Sequence, residues 1–428
     1  MSAPACTRRI VRCPVRELHA GEGYVRGVRL DHMRESMGAL ICAEGEEEAA
    51  TLPATTTDIW CVDDRILAYR QAREQVTVLS NNRIYAVSDE IVRIVKNIDQ
   101  NGNDVITALG KDALYIFQNF SASAIRINAP VPTTTNVVTL HERLFGARDL
   151  QIRYTPALNF QGWTEYGEQT AGTCDLLPTC GNVVDIVSMR GHVYFLREFG
   201  ITRLTGYVDV YNFRLDDLPF GMGRVLSYAA VIGESAYFFT DAGLCRFDGN
   251  SAEHAQGADD GEIDLTQPIR VERAWGTALA ASVTLTDGTA ALYVYEPVLR
   301  RGRFVRHAFE KFAAANALVI MREGKAYRLT GCALPAGGSC SVTAEFALSG
   351  LGEGEKKLEA VYVAGTGNVL AEAFGPDGVC RRCSGSAGEW LDFAAGVQGE
   401  SVTVRISSQD EDISVREIAL RIRREDRL

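Results

Sequence analysis

The segments VYFLREFGITRLTG (193–206) and AYFFTDAGLCRFDG (236–249) align without gaps, 43 residues apart. Tyr194 matches Tyr237, Gly200 matches Gly243, Arg203 matches Arg246, and Gly206 matches Gly249. Each copy reads as a hairpin. An apolar strand enters, a glycine turn reverses it, and a second strand leaves with an arginine on its solvent face. Weaker echoes follow at RIYAVSDEIVRIVKN (83–97), ALYIFQNFSASAIRIN (113–128), ALYVYEPVLRRGRFV (291–305) and KAYRLTG (325–331). A period of about 40–50 residues with several strands per unit is the signature of a β-propeller blade. One four-stranded blade cannot bury both of its faces alone. Stacking blades around an axis buries each face on a neighbour and leaves only short edges. An irregular sandwich or barrel is the competing architecture for repeated hairpins.

Outside the repeat, strand signals persist. Val402, Val404 and Ile406 alternate with polar residues, as do Ile418, Leu420 and Ile422, a period of two that predicts half-buried antiparallel strands. Helical periodicity is weak and is best around 30–37 and 310–318. Composition shifts at LTGCALPAGGSCSVTAEF (329–346), where ALPAGGSCS has linker character, and the boundary is placed near residue 340. Beyond it, turns at 352–354, 365–367, 376–378 and 385–388 punctuate short strands. The expected fold is therefore all-β. A β-propeller of six or seven blades covers 21–335, a small C-terminal β-sandwich covers 341–428, and residues 1–20 form an N-terminal arm.

The chain has 428 residues, 44 basic against 55 acidic, for a net charge of −11. That balance argues against non-specific nucleic-acid binding by the whole body. The N-terminus lacks the apolar run of a secretory signal, and the longest apolar stretch, 312–321, is far shorter than a membrane span. The chain reads as soluble and made in the cytoplasm. Eleven scattered cysteines in that setting read as reduced, mostly buried thiols. Cys380 and Cys383 form one CxxC, which would need two further ligands to hold zinc.

Candidate chemistry is sparse. No two of His19, His32, His141, His192, His254 and His307 lie within four residues, and there is no GxSxG, Walker or GxGxxG motif. No catalytic residue, metal ligand or cofactor is assigned. Propellers host glycosidases, so paired acids matter. Asp63-Asp64, Asp216-Asp217 and Asp259-Asp260 sit in segments that read as turns, where neighbouring acids are solvated. The segment around Asp241 lacks the hydroxyl and aromatic residues of an Asp-box. The acidic run Glu44, Glu46, Glu47 and Glu48 lacks calcium-loop spacing and reads as a solvated loop. Basic residues cluster instead. Arg8, Arg9, Arg12 and Arg16 lie near the N-terminus, Arg300, Arg301, Arg303 and Arg306 on an expected hairpin, and Arg416, Arg421, Arg423, Arg424 and Arg427 near the C-terminus. Arg8, Arg9, Arg12, Arg300, Arg301, Arg303, Arg306, Arg423 and Arg424 are the candidate contacts with DNA or an acidic neighbouring subunit. Trp390 and Tyr362 are candidate stacking groups for a sugar ring.

Residues 141–163, HERLFGARDLQIRYTPALNFQGW, carry Glu142 to Gly146, a turn at Arg148-Asp149, and Ile152 and Tyr154 on a strand. This segment resembles β-propeller virion proteins of tailed bacteriophages, including packaged-DNA stabilisation proteins and tail-hub components. Leu158-Asn159-Phe160 departs from the Asp-Pro turn common in those chains. The C-terminal segment, with Gly396-Val397 and Gly399 ahead of its alternating strands, is similar to the small β domain that closes them. The resemblance implies a structural role in the tail or neck of a phage or prophage virion. It implies contact with other virion proteins and with copies of the chain in a ring, assembly in the host cytoplasm, possible DNA contact, and no membrane span. A propeller glycoside hydrolase or lyase is the first alternative. A carbohydrate-binding adhesion module is the second.

Overall fold

The computed structural model describes residues 6–425 except 19–23, 32, 37–38, 44, 100, 119–123, 128–135, 164–170, 207–211, 259, 331–333, 335–338 and 352–353. Among the described residues there is no α-helix, and seven four-stranded antiparallel units follow one another. Blades 1 to 6 span 58–86, 91–127, 137–175, 183–218, 230–254 and 270–305. Blade 7 takes three strands from 311–330 and its outermost strand, Gly45–Thr51, from near the start of the chain.

The two repeat copies are the middle hairpins of blades 4 and 5. His192–Arg197 pairs with Gly200–Thr205, and Ser235–Thr240 pairs with Gly243–Phe247. Tyr194 stands directly opposite Arg203, and Tyr237 opposite Arg246. The glycine that opens the second strand has a steric reason. Gly243 holds φ at +107°, and a Cβ there would lie 2.6 Å from a carboxylate oxygen of Asp260. The weaker echoes are out of phase with these hairpins. Residues 83–97 run from the outer strand of blade 1 into the inner strand of blade 2, whereas 291–305 is the outer hairpin of blade 6.

Apolar packing closes the ring. Each consecutive pair of blades shares one cluster of buried side chains, from blades 1 and 2 round to blades 6 and 7. A seventh cluster joins Val319 and Met321 of blade 7 to Ile59 and Ala68 of blade 1. The inner strand Lys311–Ala314 lies beside Asp58–Val62. Blades with two apolar faces bury them this way, and the circular arrangement expected from the repeat is what the chain adopts. The stretch 310–318, expected to be helical, instead supplies this inner strand. Phe312, Ala313 and Ala314 are all buried because the strand is covered on both sides, and such a run does not alternate.

Two further sheets share a separate core. One has the order Met33–Ser36, Ala39–Cys42, Ser414–Glu425, Glu355–Thr366, Trp390–Gln398, with Cys6–Pro14 laid antiparallel along Ser414–Glu425. The other runs Val25–Asp31, Cys340–Ala347, Ser401–Ser408, Asn368–Phe374, Cys380–Ser386. Leu40, Val361 and Leu420 of the first meet Leu30, Val342 and Val404 of the second in one cluster. This corrects the expected boundaries. Residues 6–14 are a paired strand rather than an arm, the strands Val25–Asp31, Met33–Ser36 and Ala39–Cys42 belong to this unit rather than to the propeller, and 341–428 does not complete it alone. Residues 30–31 and 33–36, expected to be helical, lie in strands. Most of the expected linker lies outside the described residues.

The second sheet continues into blade 6 through a parallel pairing of Asp31 with Phe304. Gly302 sits at this seam. A Cβ there would run into the carbonyl oxygen of Ala258 and the hydroxyl of Tyr293. Gly302→Ala is expected to destabilise by about 1–3 kcal/mol through overpacking. Gly27→Ala, with nothing within 4 Å of its Cβ position, should change stability by less than about 0.5 kcal/mol. Paired thermal melts check both.

Candidate functional site

The axis of the ring carries a polar knot. Arg93 lies in Ile91–Ile98 of blade 2, a strand that also carries Lys96, and Asp185 is the one charge of Val183–Met189 in blade 4. Their side chains meet at 3.1 Å, with Asp185 fully buried and Arg93 nearly so. The other Asp185 oxygen accepts the Ala229 N–H at 2.7 Å, at the entry to blade 5. The Arg93 guanidinium stands 4.2 Å over the Tyr228 ring. From blade 6, Arg270 donates to Asp58 at 2.7 Å and Glu272 at 3.1 Å. It also lies 5.4 Å from the ring of Trp60 and 5.6 Å from that of Phe312. These contacts draw on six blades, 2, 4 and 5 through Arg93 and Asp185 and 1, 6 and 7 through Arg270.

Electrostatics follow the burial. Burial pushes the Asp185 carboxyl above the usual carboxylate range, and Arg93 and the Ala229 amide offset only part of that. Tyr228 is raised by burial, with Arg93 opposing. For Arg270 burial pulls down, but Glu272 and Asp58 together pull harder and raise it. A cavity of about 300 Å³ opens on one side of the knot, lined by Trp60, Tyr228, Arg270, Lys311 and Phe312. One of about 380 Å³ opens on the other, lined by Asp63, Lys96, Arg273 and Asn316. Arg93 and Glu272 line both, so they form the partition. Each carboxylate of the knot is held by an arginine, which suits bracing and the docking of a small polar group.

The expected acid pairs separate. Asp63 accepts from Lys96 at 2.7 Å, and Asp64 from Asn316 at 3.3 Å. Asp216 and Asp217 lie in the strand Arg214–Leu218, not in a turn. Asp216 pairs with Arg214 at 2.8 Å, and Asp217 accepts the Thr202 hydroxyl at 2.6 Å. Asp260 accepts the Leu244 N–H, while Asp259 lies outside the described residues. The acidic run is also corrected. Glu46, Glu47 and Glu48 lie in the ring-closing strand Gly45–Thr51, with Glu44 outside the described residues. Glu46 binds both Nη atoms of Arg322, at 2.9 and 2.7 Å, and meets His307 at 2.7 Å. Burial raises the Glu46 pKa, but the Arg322 hydrogen bonds and His307 outweigh it and leave the group below its ordinary value.

The candidate arginines divide into two sets. Arg301 and Arg303 are buried, which rules out the outside contact expected of them. Arg301 pairs with Glu35 at 2.9 Å and donates to the carbonyls of Val15 and Leu18. Arg303 pairs with Glu296. Arg306 reaches Asp31 at 3.1 Å, and Arg300 reaches Gln256 at 2.8 Å. Arg301 and Arg306 thus stitch blade 6 to the two-sheet unit, while Arg300 and Arg303 bind within the propeller. Arg8, Arg9 and Arg12 lie on Cys6–Pro14, next to the strand that carries Arg421, Arg423 and Arg424. Arg8 and Arg12 share one sheet face with Arg421 and Arg423, whereas Arg9 and Arg424 lie on the opposite face. Arg427 lies outside the described residues.

Trp390 and Tyr362 stand side by side on adjacent strands, 5.5 Å between ring centres, and Arg421 caps Trp390 at 4.1 Å. Cys380 and Cys383 lie on one strand, where residues three apart face opposite ways and cannot share an ion. Among the described residues no group of three or more His, Cys, Asp or Glu side chains is placed to hold a metal. Burial pushes the Cys13 thiol up to about 11 and those of Cys61 and Cys245 up to about 12.

Sequence reading missed the Arg93–Asp185 pair and the fully buried Arg197. Arg197 lies within the repeat itself. It donates to the carbonyls of Leu177 and Gly181 and so pins the loop between blades 3 and 4. For Asp185 the available signal was a single charge inside an apolar strand.

No family model and no curated protein sequence matches the chain. Solved structures with similar folds include a streptogramin B lyase, at 10% identity and TM-score 0.41, covering 67% of this chain and 97% of that one. The β-propeller domain of Cps50 (Swd1) from Myceliophteria thermophila aligns at 12% identity and TM-score 0.45, covering 67% and 100%. Kluyveromyces lactis Hsv2 aligns at 10% identity and TM-score 0.38, covering 66% and 98%. These likenesses are to β-propellers, and at this level of superposition they carry no argument about activity.

Proposed function

We propose that the chain is a structural component of a phage or prophage virion, placed in the tail or neck and acting by protein–protein contact in an oligomeric assembly. The virion assignment draws on the resemblance of residues 141–163. The contact mechanism draws on one observation, two exposed apolar side chains on adjoining loops of blade 4 and its entry. Leu177 and Phe199 are 68% and 56% exposed. The Phe199 N–H donates to the Cys180 carbonyl at 2.9 Å, so the two loops adjoin. The Arg197 guanidinium beneath holds the Leu177 loop in place. Exposed apolar side chains on a preorganised loop are what a protein interface uses, since little order is lost on docking. The braced axis supports the same reading, because its carboxylates are occupied by arginines. Among the described residues no helix is long and apolar enough to cross a membrane.

Light scattering and negative-stain imaging of the purified chain test this reading. Closed oligomers are expected, and Leu177→Glu with Phe199→Glu should abolish them while leaving the unfolding midpoint unchanged. A protein that stays monomeric, encoded away from capsid and tail genes, would overturn the proposal.

A further inference from the structure

Among the described residues Cys6–Pro14 pairs along one side only, with Ser414–Glu425. Its other side presents unpaired backbone donors and acceptors over nine residues. Such an edge is a template for another strand unless something guards or covers it. Val11 and Cys13 turn into the core, while Arg8, Ile10 and Arg12 alternate with them and are exposed.

The charges on this edge are out of balance at the surface. Arg8 stands directly opposite Arg423, an unfavourable cross-strand pairing. Glu359 lies 3.0 Å from Arg8 and 4.0 Å from Arg423. Arg12 pairs with Glu417 at 2.8 Å. These acids are recessed, at 18% and 22% exposure, beneath arginines at 69% and 65%. Arg9 is exposed on the opposite face of the strand and takes no part in this row. What a partner meets is a row of guanidinium groups beside an open backbone ladder, with Ile10 between them.

We propose that this edge receives an acidic, extended segment of a partner protein, which adds as a further strand and sets its carboxylates on Arg8 and Arg12. The inference rests on the reading of the chain as a protein-contact scaffold and names the chemistry of one partner. A peptide strand satisfies the ladder and the arginines together, whereas a nucleic acid satisfies only the charges. Residues 44–339 carry 27 basic against 36 acidic residues, so the body of the molecule repels a long polyanion. The competing role for these arginines is to keep the edges of two copies apart.

The test uses the full chain and a fluorescent dodecapeptide of alternating Glu and Val. Alternating Lys and Val, and oligothymidine, serve as comparison probes. Anisotropy at low salt should show binding of the acidic peptide alone, and hydrogen exchange should slow within residues 6–14. Arg8→Glu with Arg12→Glu should weaken binding at least about tenfold, and the double lysine variant should retain it. Circular dichroism confirms that each variant is folded, and a double glutamine variant replaces the glutamates if they unfold. Absence of acidic-peptide binding overturns the proposal. So does binding without protection at 6–14, or oligothymidine binding as well as the peptide. Oligomer formation is measured without peptide. Rings with no peptide binding sink this inference alone, and a monomer that binds the peptide sinks the ring reading alone.

Discussion

Asp185→Ala should destabilise the protein by about 3–5 kcal/mol, the range for leaving one partner of a buried ion pair uncompensated. The mutation removes the acceptor for Arg93 and for the Ala229 N–H together. Arg93 then keeps the face of Tyr228 and loses its counter-charge in a largely buried position. Blades 2, 4 and 5 lose their common tie. Asp185→Asn keeps an acceptor for Ala229 and should fall between wild type and alanine. The double variant Arg93→Met, Asp185→Leu should recover most of the loss, because the desolvation cost of both charges disappears with them. Chemical denaturation midpoints rank the four proteins. A double variant no better than Asp185→Ala would show that packing, not charge, dominates this site.

Glu46→Ala should loosen the closure of the ring, at a cost of about 1.5–3 kcal/mol for hydrogen bonds to a charged group. Glu46 ties the outermost strand of blade 7 to Arg322 and His307 within one carboxylate. The pH dependence follows from its lowered pKa. On acidification the unfolded chain takes up the proton first, near the ordinary value of 4.5, and the folded chain takes it up later. The stability from this group is therefore complete above 4.5 and disappears as pH falls through the folded value. The gap between wild type and Glu46→Ala should be constant near neutrality and shrink in that acid window. Melting temperatures from neutral pH down to 3 measure it. A gap independent of pH would show that the carboxylate contributes as a neutral acceptor only.

The repeat at 193–206 and 236–249 was enough to read the architecture, because two consecutive blades kept the same Tyr, Gly and Arg on the same hairpin. Blade number was not legible from the rest. The other echoes come from different strands of their blades, so their spacing does not count units. The strand Gly45–Thr51 carries no alternation because it is an outer strand facing solvent, held by its ladder and by salt bridges that only the folded ring supplies. The arginines at 301 and 303 misled for the opposite reason. Their strand alternates as if half exposed, yet every residue of Arg301–Val305 is buried once the two-sheet unit covers it. Leu30, Met33 and Met37 have helical spacing, but the chain around them is drawn into sheets by strands from the far end of the sequence. The axial knot was invisible, since Arg93 and Asp185 lie 92 residues apart and meet only across the ring.

The seventh blade also fixes an order of events during synthesis. Glu48 leaves the ribosome early, but its partner Lys325 emerges 277 residues later. Until then the glutamate-rich segment has no ladder to join, and the first six blades form an open arc with greasy ends at 59–68 and on blade 6. An acidic segment kept soluble by its own charge is well suited to that wait. The final docking step closes a very long loop, which makes it slow relative to the hairpins. It is also the step at which a nascent chain is most exposed to pairing with another chain of its kind.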